Sequence, residues 1–299
     1  MDGGYALTTT QDLIYETRGH LMSGARERQN TLNGAHDAST TTFTFTYAPQ
    51  FGAGDVIAVD LELVRVMSDP GATTATVHRG WGGSTAASHS ADALITVSPA
   101  FSDFRIFQTL NAELSALSSP GNGLFQTDTV SVTFNSAVVG YDLTGVTDLI
   151  DVYRVYYDEV GPDKLWPEVS DYWIRRNADT TDFASGLQIV IPDAQPGNAV
   201  RVVYKKPFTA LTSLSDDVQA VSGLPATAND IPPLGAAHRL ATGAEIQRNL
   251  NNSQGDTRRA QEVPQGALAR SSVGLMDVYR RRVGEEAARL SAAYPHRKR

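Results

Sequence analysis

The sequence contains no cysteine, and only 19% of its 299 residues are charged. The first absence excludes disulfide bonds, thiolate metal sites and a cysteine nucleophile. No run approaches the roughly 18 apolar residues that a membrane-spanning helix needs. The first residues, Met1 to Tyr5, lack the basic-then-apolar order of a signal peptide. We therefore expect a chain that is made and folded in a cytoplasm, without a membrane segment.

Charge is distributed unevenly along the chain. Residues 234–299 contain 12 Lys and Arg but 6 Asp and Glu, a net charge of +6, so the rest of the chain carries −14 of the total of −8. An acidic surface repels DNA phosphates, which argues against a typical sequence-specific DNA-binding protein and favours a surface that DNA passes without binding. Ordinary solubility charge is the alternative explanation.

Hydrophobic residues make up 41% of the chain, and Thr, Ser, Ala and Gly are abundant, a composition typical of β-sheet with many turns. In residues 1–125, helical spacing follows Thr10 and again follows Pro99, where the apolar residues from Phe104 to Leu117 share one face. Alternation of period two predicts strands at 40–47, 55–67, 73–79 and 93–98. We expect a small antiparallel sheet with the second helix packed on it.

Five further strands are predicted at 129–139, 151–158, 171–176, 187–192 and 199–206, separated by turn residues. They favour a β-sandwich or barrel over residues 126–207. Residues 208–233 lose periodicity and are interpreted as a connector. Residues 234–299 return to helical spacing and form a basic arm. The predicted fold class is therefore α+β, with a β-rich body and a C-terminal helical extension.

A glycine-rich loop joins two of the predicted strands. The run from Val77 to His89 reads V-x-R-G-x-x-G-(S/T)-(S/T)-A-A-x-H, and a second strand follows at Leu94–Val97. The glycines allow a tight crossing, and the Arg and His side chains could clamp the loop by hydrogen bonds. The loop-structural residues are Arg79, Gly80, Gly83 and His89.

This run resembles a pattern of tailed-bacteriophage virion structural proteins, over roughly residues 55–125. The glycine usual before the second strand is replaced here by Ser90-Ala91-Asp92. The layout of residues 234–295, two helices with a late Tyr-Arg-Arg-Arg, is similar to the portal-docking end of head-to-tail adaptor or neck proteins.

That resemblance implies a structural subunit at the head-to-tail junction of a virion, made in a bacterial host. The subunit would assemble into a homo-oligomeric ring of about twelve copies that extends the portal channel. It would contact the portal protein and other neck or tail proteins, and DNA would pass through it without specific binding. A tail-tube, tail-terminator or distal-tail protein is the alternative within the virion.

The C-terminal arm is the predicted portal-docking element, because an amphipathic helix does not hide its apolar stripe from water unaided. Three arginines would orient it through acidic partners. The predicted docking residues are Leu268, Val273, Met276, Arg280, Arg281, Arg282, Val283 and Leu290.

Motifs for chemistry are absent from the sequence. The six histidines show no compact metal-ligand spacing, although His78 and His89 flank the glycine loop and could meet in space. No nucleophile motif or phosphate-binding loop occurs. We expect no metal, no cofactor and no enzymatic activity. The aromatic residues Tyr153, Tyr156, Tyr157, Trp166, Tyr172 and Trp173 are typical of core packing and subunit contacts, with a glycan-binding tail module as the alternative.

Overall fold

A computed structural model describes residues 8–22, 27–68, 73–137, 140–158, 167–192, 199–253 and 267–295. The chain divides into two compact units. The first unit combines residues 1–116 with 209–285, and the second combines 117–208 with 286–299. Both contain antiparallel sheet, and helices are present as well. The expected α+β, β-rich fold class is confirmed.

The first unit contains a curled six-stranded sheet, with strand order β1-β6-β3-β4-β5-β2. All neighbouring strands are antiparallel. The two ends of the sheet meet at a bridge between Leu32 and Phe45, where Asn33 N–H donates to Thr44 O at 2.8 Å. The strands are β1 Arg28–Thr31, β2 Thr42–Thr44, β3 Val56–Val59, β4 Glu62–Val66, β5 Thr74–His78 and β6 Leu94–Val97.

Alternating side chains of this curled sheet form one apolar core. Phe43 and Phe45, at alternate positions of the strand predicted at 40–47, are fully buried. Tyr47 belongs to the same sequence pattern but is 68% exposed, because β2 ends at Thr44. The short polar strand β1 was missed by the sequence analysis, since its residues Arg-Gln-Asn-Thr carry no apolar alternation.

The helices are α1 Thr10–Met22, α2 Asp103–Leu117, α3 Val218–Ser222, α4 Ile231–Ser253 and α5 Ala267–Ala293. In α2 the predicted apolar positions Leu110, Leu114 and Leu117 are buried. The sequence predicted that α2 packs on the sheet. In the structure, ion pairs connect α2 with other helices. Asp103 pairs with Arg18 of α1, and Glu113 accepts from Arg239 Nε of α4 at 2.5 Å.

Residues 209–233 belong to the first unit rather than forming a separate connector. Leu211, Val218 and Leu224 are buried there, and Val218 N–H donates to Thr8 O at 2.9 Å. The loss of periodicity had predicted a connector at residues 208–233. The apolar residues of this segment are buried one by one and not along one face of a long helix or strand. The sequence therefore shows no repeating pattern there.

The second unit contains two three-stranded antiparallel sheets, β7-β12-β9 and β10-β11-β8, around one core. Bridges from Asn135 to Gly140 and from Tyr156 to Glu168 link segments near their edges. All five predicted strands are present here, and only the two-residue β8 was missed. The strands are β7 Gln126–Thr133, β8 Tyr141–Asp142, β9 Asp151–Tyr157, β10 Trp173–Arg176, β11 Leu187–Val190 and β12 Ala199–Lys206.

Helix α5 is covered on one side by the chain itself. Ser272, Tyr279 and Val283 are buried, and so is Leu290 nearer the end of the helix. In the second unit, the ring of Tyr294 packs against Phe125 and Tyr153, with ring centroids 5.9 and 5.2 Å apart. The expectation of a separate arm at residues 234–299 is therefore corrected.

Candidate functional site

The glycine loop, residues 79–89, meets the β3–β4 hairpin at a buried cluster of charged side chains. Val59 pairs with Glu62 across a two-residue turn, in which Asp60 has a φ of 50°. Arg79 follows β5 directly, and His89 closes the loop through a bridge to His36. Residues distant in the sequence are thus brought together by strand pairing.

Glu62 is the centre of this cluster and is only 1% exposed. Its carboxylate accepts two hydrogen bonds from Arg79, at 2.8 and 2.7 Å, and one from His89 Nε2 at 2.9 Å. The backbone N–H groups of Gly80 and Ala87 donate to it at 2.9 and 3.0 Å. Although burial acts to raise the pKa of Glu62, these hydrogen bonds lower it to about 2.

Arg79 uses all five of its N–H donors inside the protein. Besides the two bonds to Glu62, its Nη1 donates to Asp37 O at 2.8 Å and Thr40 O at 3.0 Å. Its Nη2 also donates to Ala87 O at 2.5 Å. The guanidinium carbon lies 4.9 Å from the centre of the Phe43 ring. Arg79 therefore joins both ends of its own loop to the segment before β2.

His89 is held between two carboxylates. Its Nδ1 lies 2.8 Å from Asp60 Oδ2 and its Nε2 lies 2.9 Å from Glu62 Oε2. Burial acts to lower the pKa of His89, but the hydrogen bonds to Asp60 and Glu62 raise it to about 9. The ring is therefore a cation at neutral pH, and the cluster balances two positive against two negative charges.

His36 lies beside His89 and makes hydrogen bonds of its own. The two residues exchange backbone hydrogen bonds of 3.0 and 2.8 Å. The His36 Nδ1 contacts Gly34 O at 3.1 Å, and its Nε2 accepts from Thr44 N–H at 3.2 Å. Because a backbone N–H only donates and a carbonyl only accepts, these two contacts match the tautomer that carries a proton on Nδ1 and accepts at Nε2.

The rest of the loop is fixed by its glycines and by Ser84. Gly80 has a φ of 62°, and a Cβ there would lie 3.1 Å from Ser84 O. Ser84 Oγ accepts from Leu63 N–H at 2.9 Å and donates to Trp81 O at 2.9 Å. Gly83 has a φ of 88°, which L side chains rarely adopt. The predicted loop residues Arg79, Gly80, Gly83 and His89 thus all lie in this one structure.

Two details of the cluster differ from the sequence analysis. His78 packs on Trp81 with ring centroids 5.7 Å apart, so its partner is Trp81, while His89 lies between its carboxylates. Glu62 belongs to the acidic part of the chain, but it is buried instead of lying at the surface. The signal was available, because Glu62 alternates in phase with the inward-facing Val64 and Val66.

The cluster holds a shape rather than offering reactive groups. Glu62 and His89 have no exposed side-chain surface, and their hydrogen-bonding atoms are occupied by Arg79, by Asp60 and by each other. A general acid or base needs a path to its substrate, and a nucleophile needs an accessible atom. The geometry of this site supports a loop clamp.

The predicted docking residues do not share one face of α5. Val283 and Leu290 are buried, Met276 is half-buried, and Val273 is 61% exposed. The side chain of Leu268 lies outside the described residues. Because a helix advances about 100° per residue, Val273 points away from the row that contains Tyr279 and Val283. The predicted docking residues therefore lie on two surfaces of α5, a buried one with Val283 and Leu290 and an exposed one with Val273.

Of the three predicted docking arginines, Arg282 binds within the chain. It donates to both carboxylate oxygens of Asp230, at 2.7 and 3.0 Å, and to Thr227 O at 2.9 Å. Arg280 and Arg281 are exposed. The sequence predicted acidic partners for the three arginines. For Arg282 this partner is Asp230, directly before α4 in the same chain.

Two of the aromatic residues considered for glycan binding, Tyr157 and Tyr172, pack against the core of the second unit. Tyr153 packs against Tyr294 and under Arg154, whose guanidinium lies 4.9 Å from the ring centre. Trp173 on β10 is 46% exposed, and Trp166 lies outside the described residues. Tyr153 is therefore part of the packing of the second unit.

Within the described ranges, no group of three or more His, Asp or Glu side chains is arranged to hold a metal ion. In the same part of the chain, no helix combines the length and the apolar character needed to span a membrane. No protein-family model matches the chain, and a search of curated proteins finds no match either.

Proposed function

We propose that this protein is a non-enzymatic structural subunit of a tailed-bacteriophage virion, in a ring that joins the portal to the tail. The observation that carries the proposal is the clamp around Glu62. The loop motif that resembles virion proteins uses Arg79 and His89 for shape, because both side chains bind a buried carboxylate. A fixed loop with Trp81 and two glycines at its tip suits a subunit contact.

The clamp favours structural specificity over stability. Burying charged groups costs free energy that their pairing only partly returns, so we assign this network to fixing the shape of the loop rather than to overall stability. A ring subunit needs the same loop geometry in every copy, since each interface repeats around the axis. The clamp meets that requirement.

The portal contact is assigned to the exposed side of α5. Val273, Arg280 and Arg281 lie on exposed positions, whereas Tyr279 and Val283 are covered by the chain. A helix already held on its buried side presents its other side in a fixed orientation. This surface replaces the combined stripe expected from the sequence as the docking element.

The channel role is supported by acidic side chains at the surface. Hydrogen bonds from Thr40 and Ser39 lower the pKa of Asp37 to about 2, and hydrogen bonds from Ser213 and Thr212 do the same for Asp216. These carboxylates stay ionised at any pH at which a virion assembles. Like charge repels DNA phosphate, so DNA would slide past such a surface.

The test is to mix the purified protein with the portal protein encoded beside it and to image the product. We expect a ring of about twelve copies on the portal. The double variant Arg280→Glu/Arg281→Glu should weaken attachment, whereas Arg105→Glu/Arg175→Glu, with the same charge change at other exposed sites, should not. A protein that stays unattached at saturating portal contradicts the proposal.

A further inference from the structure

Strand β7 forms an unusually long edge in the second unit. It pairs with β12 along all eight of its residues and stands at the end of the order β7-β12-β9. Strands in globular proteins average about five or six residues. Beyond the end of β7, Asn135 forms a bridge with Gly140. The following strand, β8, pairs with β11 and not with β7.

The pairing on the other side of β12 identifies which backbone groups of β7 face outward. Lys205 O accepts from Ile150 N–H and Ala199 O accepts from Asp158 N–H, so odd-numbered residues of this part of β12 point toward β9. Their β7 partners therefore point away from β12. The outward-facing residues of β7 are Thr127, Thr129, Ser131 and Thr133.

Other edges in the described structure are protected, and β7 is not. The ends of the curled sheet meet each other at Leu32 and Phe45, β8 has two residues, and β9 pairs with Glu168. β10 carries Arg175 and Arg176, charges of the kind that guard natural edges. β7 contains no proline, glycine, lysine or arginine, and its one charge, Asp128, is paired with Lys206 at 2.6 Å.

We infer that the outer edge of β7 is an interaction surface that pairs antiparallel with β7 of a second copy of this chain. A register centred on Val130 places Thr129 opposite Ser131 and Thr127 opposite Thr133 of the other copy. All four outward-facing residues then meet outward-facing residues, which is the condition for a continuous ladder of hydrogen bonds.

The side chains are compatible with a second copy as the occupant. Thr129, Ser131 and Thr133 are exposed, small and uncharged, so copies do not repel each other there. In this register the two Asp128 carboxylates are about 13 Å apart along the strands, beyond the range of strong repulsion in salt. In the single chain, Thr129 N–H donates to Asp128 Oδ1 at 2.7 Å. Pairing would replace this hydrogen bond with one to the backbone of the second copy.

Sedimentation of the free full-length protein at micromolar concentration tests the inference. We expect a dimer. Ser131→Pro removes an outward N–H without touching the pairing with β12, and should weaken the dimer by about tenfold or more. Ser131→Ala keeps that N–H and should leave the dimer intact. Monomeric wild-type protein, or equal weakening by both substitutions, overturns the inference.

A charge exchange tests the register and covers the case in which the proline variant does not fold. Thr129→Lys/Ser131→Lys places like charges directly opposite each other and should yield a monomer. Thr129→Glu/Ser131→Glu should do the same, and mixing the two variants should restore a dimer. A mixture that stays monomeric overturns the assigned pairing.

This inference does not depend on the proposed function, because it is measured on the free protein. A protein that attaches to the portal but is monomeric when free contradicts the strand pairing alone. A dimer that never attaches to the portal contradicts the virion role alone.

Discussion

The two units hold their sheets together by different means. In the first unit, the curled sheet meets itself at its ends and encloses a carboxylate, Glu62, with five hydrogen bonds. In the second unit, two small sheets share an apolar core, and β7 is an eight-residue edge strand within the part of the chain that the structure describes. The stability of the first unit should therefore depend on the ionisation of Glu62 and its partners, and the stability of the second unit on apolar packing.

Removing the end of the chain should have the largest effect, because α5 contributes buried residues to both units. Deleting residues 267–299 takes away Tyr279, Val283 and Leu290, a loss of roughly 5 kcal/mol or more, comparable to the whole stability of many domains. Circular dichroism and melting of the truncated protein would measure it. Deleting only residues 286–299 should lower the stability of the second unit and spare the curled sheet. A fully folded 267–299 deletion would restore the idea of an independent arm.

Replacing Glu62 should break the first unit selectively. Glu62→Ala leaves the buried cations Arg79 and His89 without their shared carboxylate, which costs about 3–5 kcal/mol. The chain has three tryptophans, so Trp166→Phe/Trp173→Phe leaves Trp81 as a fluorescent probe of the glycine loop during urea unfolding. Asp148→Ala, which removes an exposed carboxylate from the second unit, should change stability by less than about 0.5 kcal/mol. Equal effects of the two substitutions would contradict a central role for Glu62.

Changing the pH should separate the units in the intact protein. The pKa of His89 is raised to about 9, so its contribution is complete below about 6.5 and is lost as the pH rises through 9. The pKa of Glu62 is lowered to about 2, so its contribution is complete above about 4.5 and is lost as the pH falls toward 2. The alkaline loss should be on the order of 3 kcal/mol. Unfolding monitored by Trp81 from pH 6 to 10 checks it, and a flat profile would show that His89 is not held as a cation.

A glycine substitution should give the smallest effect and test packing without charge removal. A Cβ at Gly235 of α4 would lie 2.4 Å from the carboxyl carbon of Glu113, so Gly235→Ala should cost about 1–3 kcal/mol. Gly284→Ala has nothing within 4 Å and should stabilise α5 by up to about 1 kcal/mol. Thermal melting of both variants gives the comparison. Stabilisation by Gly235→Ala would mean that Glu113 moves aside at little cost.

Local patterns predicted much of the secondary structure. The period-two alternation of residues 129–206 located five strands of the second unit, and the spacing from Phe104 to Leu117 located α2. These predictions succeeded because a buried face imposes its period on the sequence directly. β1 and β8 were missed because they are short and lack that period.

The sequence by itself determined which side chains the glycine loop would use, since Arg79, Gly80, Gly83 and His89 stand in the run from Val77 to His89. Only the tertiary structure decided what they bind. Glu62 lies 27 residues before His89 in the chain and reaches it through the pairing of β3 with β4 and β6. The same holds for α5, whose amphipathic spacing predicted a docking surface for a partner while Tyr279 and Val283 are buried by the chain itself. The spacing of apolar residues shows that one face of a helix or strand is buried. Which segment covers that face is determined by contacts between distant parts of the chain.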